Sequence, residues 1–137
     1  MRILVDCCVW SLALRRRSSA LLGEEERCMV ASLTEAIRNG QLAILGPIRQ
    51  EILSGIRDLA SFERVRSTLL EFQDETLTTP DYEEAARYDN LCRSRGIACG
   101  PIDMLICAVA LRRHWSVLTL DRGLIRCMEA LRAETPL

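Results

Sequence analysis

The sequence of 137 residues contains no lysine and only one histidine, and both shortages exclude kinds of site. A single imidazole, His114, excludes an acid–base site built on two histidines and argues against a histidine-rich zinc site. We expect its partly charged ring to interact favourably with the dipole of the helix whose C-terminal end it occupies. Without lysine there is no Gly-x-x-x-x-Gly-Lys loop, which excludes the P-loop class. All 18 basic residues are arginines, but the net charge is −1, so the chain lacks the strong basic footprint of a simple nucleic-acid binder.

The sequence also lacks the marks of secretion and of a membrane span. It has seven cysteines, an odd number with no Cys-x-x-Cys spacing. We therefore expect all of them to be reduced and mostly buried as small apolar side chains. The first apolar run is interrupted at Asp6 and is followed by Arg15-Arg16-Arg17, which fits neither a signal peptide nor a membrane helix. We expect a cytoplasmic protein of one domain, residues 1–137.

Strand-like and helix-like segments alternate along the chain. Apolar runs predict strands at 2–6, 42–45 and 116–120, with a weaker one at 75–77. Residues 10–17 are expected to form a short helix or a loop. Helical spacing and capping signals predict the other helices, which are 24–39, one from Pro47 with a stripe from Ile48 to Leu59, 62–72, 79–95, 102–113 and 124–131. The alternation predicts a three-layer α/β/α fold with a mostly parallel sheet of four to five strands.

Four carboxylates occupy equivalent places in this pattern, and we call them the acidic cluster. Two follow strands, one lies early in a helix that follows a strand, and one lies in the first turn of a helix that is apolar on every face. In order, they are Asp6, Asp121, Glu51 and Asp103. Parallel strands and right-handed crossovers bring such positions to one edge of the sheet.

Carboxylates that converge without a cation repel one another, so the arrangement favours a bound metal ion. Ligands that are all oxygen suit Mg²⁺ or Mn²⁺. Such ions commonly serve hydrolysis of phosphodiesters. Each residue also has a purely structural interpretation: Asp103 as a partner of the helix dipole, Asp121 and Asp6 as caps, and Glu51 as a solvated side chain. The four together favour a site.

The sequence resembles the PIN domains, and among them the VapC-type toxins of toxin-antitoxin modules. The resemblance rests on Leu4-Val5-Asp6 with Val9-Trp10, on Gly46-Pro47 through Glu51 to Gly55, on Ile102-Asp103 through Ala108, and on Val117-Leu118-Thr119-Leu120-Asp121. It implies an endoribonuclease dependent on Mg²⁺ or Mn²⁺, usually a homodimer, that a VapB-like antitoxin inhibits. It also implies that the acidic cluster is the catalytic and metal site, with Thr119 as a supporting hydroxyl.

The chain departs from this pattern directly after Asp6. The family usually has serine or threonine there, whereas this sequence has Cys7-Cys8. Because a thiol is a weak hydrogen-bond donor, a supporting role for these side chains is in doubt, and we expect them to pack in the core.

Two other functions fit the same pattern. One is a protein-interaction module that keeps the fold without catalysis and binds a partner helix along the segments 24–39 and 47–72. The other is a metal-dependent DNA nuclease, although so short a chain leaves no room for an arch that clamps DNA. Trp10 and Trp115 could stack on bases, but burial is the expected role of both.

Overall fold

The computed structural model describes residues 1–14 and 21–134 of the chain. Within these ranges it contains a sheet of three parallel strands flanked by seven helices. None of the helices in the described part combines the length and the hydropathy that a membrane crossing requires. The parallel sheet flanked by helices confirms the predicted fold class, an α/β fold with a mostly parallel sheet.

The first strand, β1, is the centre of the sheet. It runs over Ile3–Val5, between β2 at Leu42–Ala43 and β3 at Ser116–Leu118. Leu4 pairs with Ala43 on one side and with Val117 on the other. Because helices cover both faces of a parallel sheet, a central strand is apolar at every position, and Leu4 and Val5 are completely buried.

The helices follow the strands in the order expected for parallel crossovers. They are α1 (Cys7–Leu14), α2 (Glu24–Arg38), α3 (Gly46–Ser54), α4 (Leu59–Leu69), α5 (Thr79–Ser94), α6 (Pro101–Arg113) and α7 (Arg122–Glu134). Helix α6 is buried along most of its length, as its apolar sequence predicts, and it packs closely on α5. Its C-cap, His114, has a left-handed backbone with φ of 57°.

The number of strands was overestimated, because the described residues form three strands and not four to five. The predicted strand at 75–77 is absent, and only an isolated parallel bridge joins Ile44 to Asp74. Strand β2 cannot extend that pairing, because Gly46 already begins helix α3 with Pro47 in its first turn. A proline there lacks only a backbone N–H that the helix does not use.

The helix predicted from Pro47 to Leu59 is in fact two helices. Gly55 is the C-cap of α3, and Asp58 caps α4 by accepting a hydrogen bond of 2.8 Å from the backbone N–H of Ser61. Leu59 is consequently exposed and not part of a buried stripe. Helix α1 begins earlier than predicted, at Cys7, and the end predicted for it at residues 15–17 lies outside the described residues.

The expectation that every cysteine is reduced is wrong for one pair. Cys99 and Cys127 form a disulfide across a sequence separation of 28 residues. Cys99 directly precedes α6 and Cys127 lies within α7, and these two helices pack against each other. Spacing along the chain does not reveal a pair that only tertiary packing brings together. The other five cysteines are free thiols.

Candidate metal site

Asp6 is the most constrained member of the acidic cluster. It follows β1 directly and its side chain is buried. One carboxylate oxygen, Oδ1, accepts a hydrogen bond of 2.8 Å from the backbone N–H of Cys7. The other, Oδ2, accepts one of 2.8 Å from the Thr119 hydroxyl. The orientation of the Asp6 carboxylate is therefore fixed from both sides.

Thr119 connects Asp6 to Asp121. Its hydroxyl oxygen accepts a hydrogen bond of 3.0 Å from the backbone N–H of Asp121 while donating to Asp6. Asp121 also caps α7, since its Oδ1 accepts hydrogen bonds of 2.8 Å and 3.3 Å from the N–H groups of Gly123 and Leu124. The capping interpretation of Asp121 is thus observed, and the same geometry brings the residue next to Asp6.

Asp103 shows how close the four acids are. It lies in the first turn of α6 and is half-buried. Burial raises the pKa of Asp103 to about 6, and the charges of Asp6 and Asp121 add to this effect, with a smaller contribution from Glu51. A carboxyl whose pKa is raised by three neighbouring acids lies in a site of concentrated negative charge.

Glu51 joins the cluster from helix α3 through a thiol. The Cys7 thiol donates a hydrogen bond of 3.2 Å to Glu51 Oε1. Burial raises the pKa of Cys7 far above its ordinary value, and the hydrogen bond to Glu51 and the charge of Asp6 raise it further. Cys7 is therefore a protonated donor that holds one oxygen of an otherwise exposed glutamate.

The thiol of Cys8 lies between the residues that follow strands β1 and β3. Cys8 Sγ is 3.5 Å from Asp6 Oδ2 and 3.7 Å from the Thr119 hydroxyl, and it accepts a hydrogen bond of 3.5 Å from the N–H of Leu120. Burial also raises the pKa of this thiol. Sequence reasoning assigned Cys7 and Cys8 to core packing and missed these contacts. Their position directly after Asp6 was the available signal.

No arginine neutralises the acidic cluster within the described residues, because none of the ion pairs found there involves its four members. In the same part of the chain, no group of three or more His, Cys, Asp or Glu side chains is already arranged so that it could hold a metal ion. Mg²⁺ keeps several water ligands and binds through one or two carboxylates, so an open set of oxygen donors fits such an ion. Unneutralised charge and oxygen chemistry together make the cluster a candidate site for a hard divalent cation.

Comparisons with known proteins bear on the fold and the family of the chain. No curated protein matches the sequence significantly. Among solved structures, FitAcB from Neisseria gonorrhoeae is similar with a TM-score of 0.72 and 20% sequence identity, and the match covers 93% of each chain. At that identity the likeness supports the fold alone. The PIN domain family matches residues 3–128. The chain therefore belongs to the PIN domain family.

Proposed function

We propose that this protein is an endoribonuclease toxin of the VapC type that depends on Mg²⁺ or Mn²⁺. PIN domains are generally nucleases that use divalent metal ions. The observation that supports the proposal is the half-buried Asp103, whose pKa is raised by the charges of the other three acids, while no arginine pairs with any of the four among the described residues. A protein-interaction module has no use for such a costly concentration of negative charge, because repulsion between the acids opposes folding.

The acidic cluster would hold the metal. Mg²⁺ or Mn²⁺ bound there would supply Lewis-acid chemistry, activating a water molecule and stabilising the leaving oxygen of a phosphodiester. The four residues proposed both as metal ligands and as catalytic residues are Asp6, Glu51, Asp103 and Asp121.

The protein's own groups prepare this site before any ion is bound. Thr119 and the backbone N–H of Cys7 hold Asp6 in one orientation. Cys7 holds Glu51 from the other side. Asp103, with a pKa of about 6, is largely ionised near neutral pH and gives up its remaining proton when a cation binds. We assign Thr119 and Cys7 as positioning residues.

The partners follow from the resemblance of the motifs to VapC-type toxins. We propose that the chain cleaves RNA in the cytoplasm, forms a homodimer and is inhibited by a VapB-like antitoxin. The match to the PIN family covers every element that carries the acidic cluster, which supports the nuclease part of this proposal.

The decisive experiment compares cleavage of RNA and DNA by the wild-type protein and by three variants. Asp6→Asn and Asp103→Asn remove a ligand each, and Glu129→Gln changes an exposed acid on α7 as a matched control. We expect cleavage of single-stranded RNA in Mg²⁺ or Mn²⁺ by the wild type and by the control alone. EDTA should abolish it.

Three results would contradict the proposal. Equal cleavage by either ligand variant would remove the assigned site. Cleavage of DNA in preference to RNA would make the protein a DNA nuclease. An absence of any metal-dependent cleavage and of stabilisation by Mn²⁺ would favour the interaction module.

A further inference from the structure

A groove adjoins the acidic cluster on the side of Glu51. It lies between helices α1, α3 and α4 and has a volume of about 590 Å³. This lies within the range of ~300–1,000 Å³ that is typical of small-molecule sites, so it has room for a nucleotide-sized group. Its apolar wall includes Ile52, Ile56 and Val65.

Two arginines line the groove without an acid to neutralise them. Arg57 and Arg64 form no ion pair within the described residues, unlike several other arginines of the chain. The Arg64 guanidinium donates a hydrogen bond of 3.1 Å to the carbonyl of Leu14, which fixes it on the wall of the groove. Arg57 is exposed and makes no hydrogen bond inside the described part of the chain. Both charges remain available to an anion from solution.

Among the described residues, two acids line the same groove, and both already have a role. Glu51 belongs to the acidic cluster. Asp58 accepts the N–H of Ser61 and caps helix α4, and hydrogen bonding with Ser61 lowers its pKa. Its charge therefore stabilises the start of the helix. The groove thus contains two arginines without an ion pair, one acid of the acidic cluster and one acid that caps a helix.

We propose that this groove binds the RNA strand on one side of the cleaved phosphodiester, with Arg57 and Arg64 contacting its phosphates. The inference rests on the proposed function and extends it to named residues for substrate binding. Arginine is well suited to contacting phosphate oxygens, because its planar group can donate two parallel hydrogen bonds. The apolar wall suits an unstacked base, which indicates a single-stranded substrate, since the bases of a duplex are stacked away from such a surface.

Binding of a fluorescein-labelled single-stranded RNA tests the proposal without cleavage if every protein carries Asp103→Asn. Arg57→Gln and Arg64→Gln are added separately. Arg38→Gln is the matched control, because Arg38 is exposed and lacks an ion pair among the described residues but lies outside the groove. We expect each groove variant to weaken binding roughly tenfold, as for loss of one charged hydrogen bond. The control should bind within twofold of its parent.

The dependence of binding on salt separates a phosphate contact from a structural role. Each lost contact should reduce the slope of log K against log salt by about 0.7. Because Arg64 also holds Leu14, Arg64→Lys is included: it keeps the charge, and its salt slope should match that of the parent. Thermal unfolding confirms that each variant is folded.

Unchanged affinity and salt slope in both Arg57→Gln and Arg64→Gln would overturn the proposal. If the wild type still cleaved RNA, that result would leave the proposed function intact and would favour a protein as the occupant of the groove. A failure of the proposed function is visible separately, as an absence of metal-dependent cleavage by the wild type.

Discussion

A buried or half-buried acid lies near each end of helix α6, and the surroundings of the two acids are opposite in charge. Near its C-terminal end, Arg112 and Arg113 pair with Asp81 of helix α5, whose side chain is completely buried. The hydrogen bond from Arg113 Nη2 to Asp81 Oδ2 measures 2.9 Å. Asp81 also accepts hydrogen bonds from the backbone and the hydroxyl of Thr78, which caps α5. Every oxygen of this acid has a partner.

At the N-terminal end of α6, Asp103 has other acids as its neighbours. Burial acts to raise the pKa of both residues. At Asp81, hydrogen bonds from Thr78, the charge of Arg113 and a hydrogen bond from Arg112 outweigh the effect of burial, so the pKa lies below the usual value. At Asp103 the charges of Asp6 and Asp121 add to the effect of burial, and the pKa is about 6. The difference teaches that burial alone does not distinguish the two acids, and that the proposed role of Asp103 rests on burial without a compensating positive charge.

The largest expected effect is the loss of catalysis in Asp103→Asn. Supporting residues around a metal typically contribute about 10–100-fold to affinity or activity, so removal of a proposed direct ligand should lower the rate of RNA cleavage by more than ~100-fold. The free energy of unfolding in metal-free buffer should stay constant or rise, because a repelling charge is removed. Single-turnover cleavage and urea unfolding measure the two quantities. A large loss of stability would mean that Asp103 is structural.

Asp81→Asn should show the reverse pattern. Breaking a buried ion pair typically costs about 3–5 kcal/mol, and we expect the lower end because both arginines are partly exposed and can reach water. Urea unfolding measures the loss. Cleavage by the fraction that remains folded should match the wild type. A stable Asp81→Asn variant that no longer cleaves RNA would remove the distinction between the two acids.

Thr119→Val tests the support of Asp6 by the threonine hydroxyl. The substitution removes the hydroxyl that donates to Asp6 and accepts from Asp121. We expect cleavage to fall about 10–100-fold, the usual range for a residue that orients a metal ligand. Thr119→Ser keeps the hydroxyl and should recover most of the rate. Equal losses in both variants would show that packing of the methyl group matters and not the hydrogen bond.

The smallest effect is a pH dependence of stability in metal-free protein. Because the pKa of Asp103 is raised to about 6 on folding, the folded state binds more protons than the unfolded state between roughly pH 4 and pH 6. The contribution of protonated Asp103 to the free energy of unfolding is therefore lost as the pH rises through this window. Urea unfolding at several pH values should show this decline in the wild type relative to Asp103→Asn. Parallel curves would contradict the raised pKa.

Much of this arrangement could be predicted from sequence because it depends on local patterns. A strand that stops at Asp6, and a helix apolar on every face with Asp103 in its first turn, are visible in the chain. The parallel topology then brings the ends together. The break between α3 and α4 was also readable, since Gly55 and Asp58 are ordinary stop and cap residues, but the apolar spacing through Ile56 and Leu59 concealed it.

Contacts between distant segments could not be predicted in the same way. The pairing of Asp81 with Arg112 and Arg113 depends on how α5 packs on α6. The disulfide between Cys99 and Cys127 depends likewise on the packing of α7 against α6. The contacts of Cys7 with Glu51 depend on the angle at which α1 leaves β1. Sequence patterns predict which face of a helix or strand is buried and where each one begins and ends. The contacts above depend in addition on how far apart two such elements pack, which the patterns do not predict.

Calorimetric titration with Mn²⁺ near neutral pH tests the central claim most directly, because it asks whether the unneutralised acids bind a cation at all. Wild-type protein should bind Mn²⁺ and release protons, because the fraction of Asp103 that is still protonated at this pH loses its proton. Asp103→Asn should bind weakly or not at all, while folded Asp81→Asn should bind like the wild type. Equal Mn²⁺ affinity in wild type and Asp103→Asn would contradict the account.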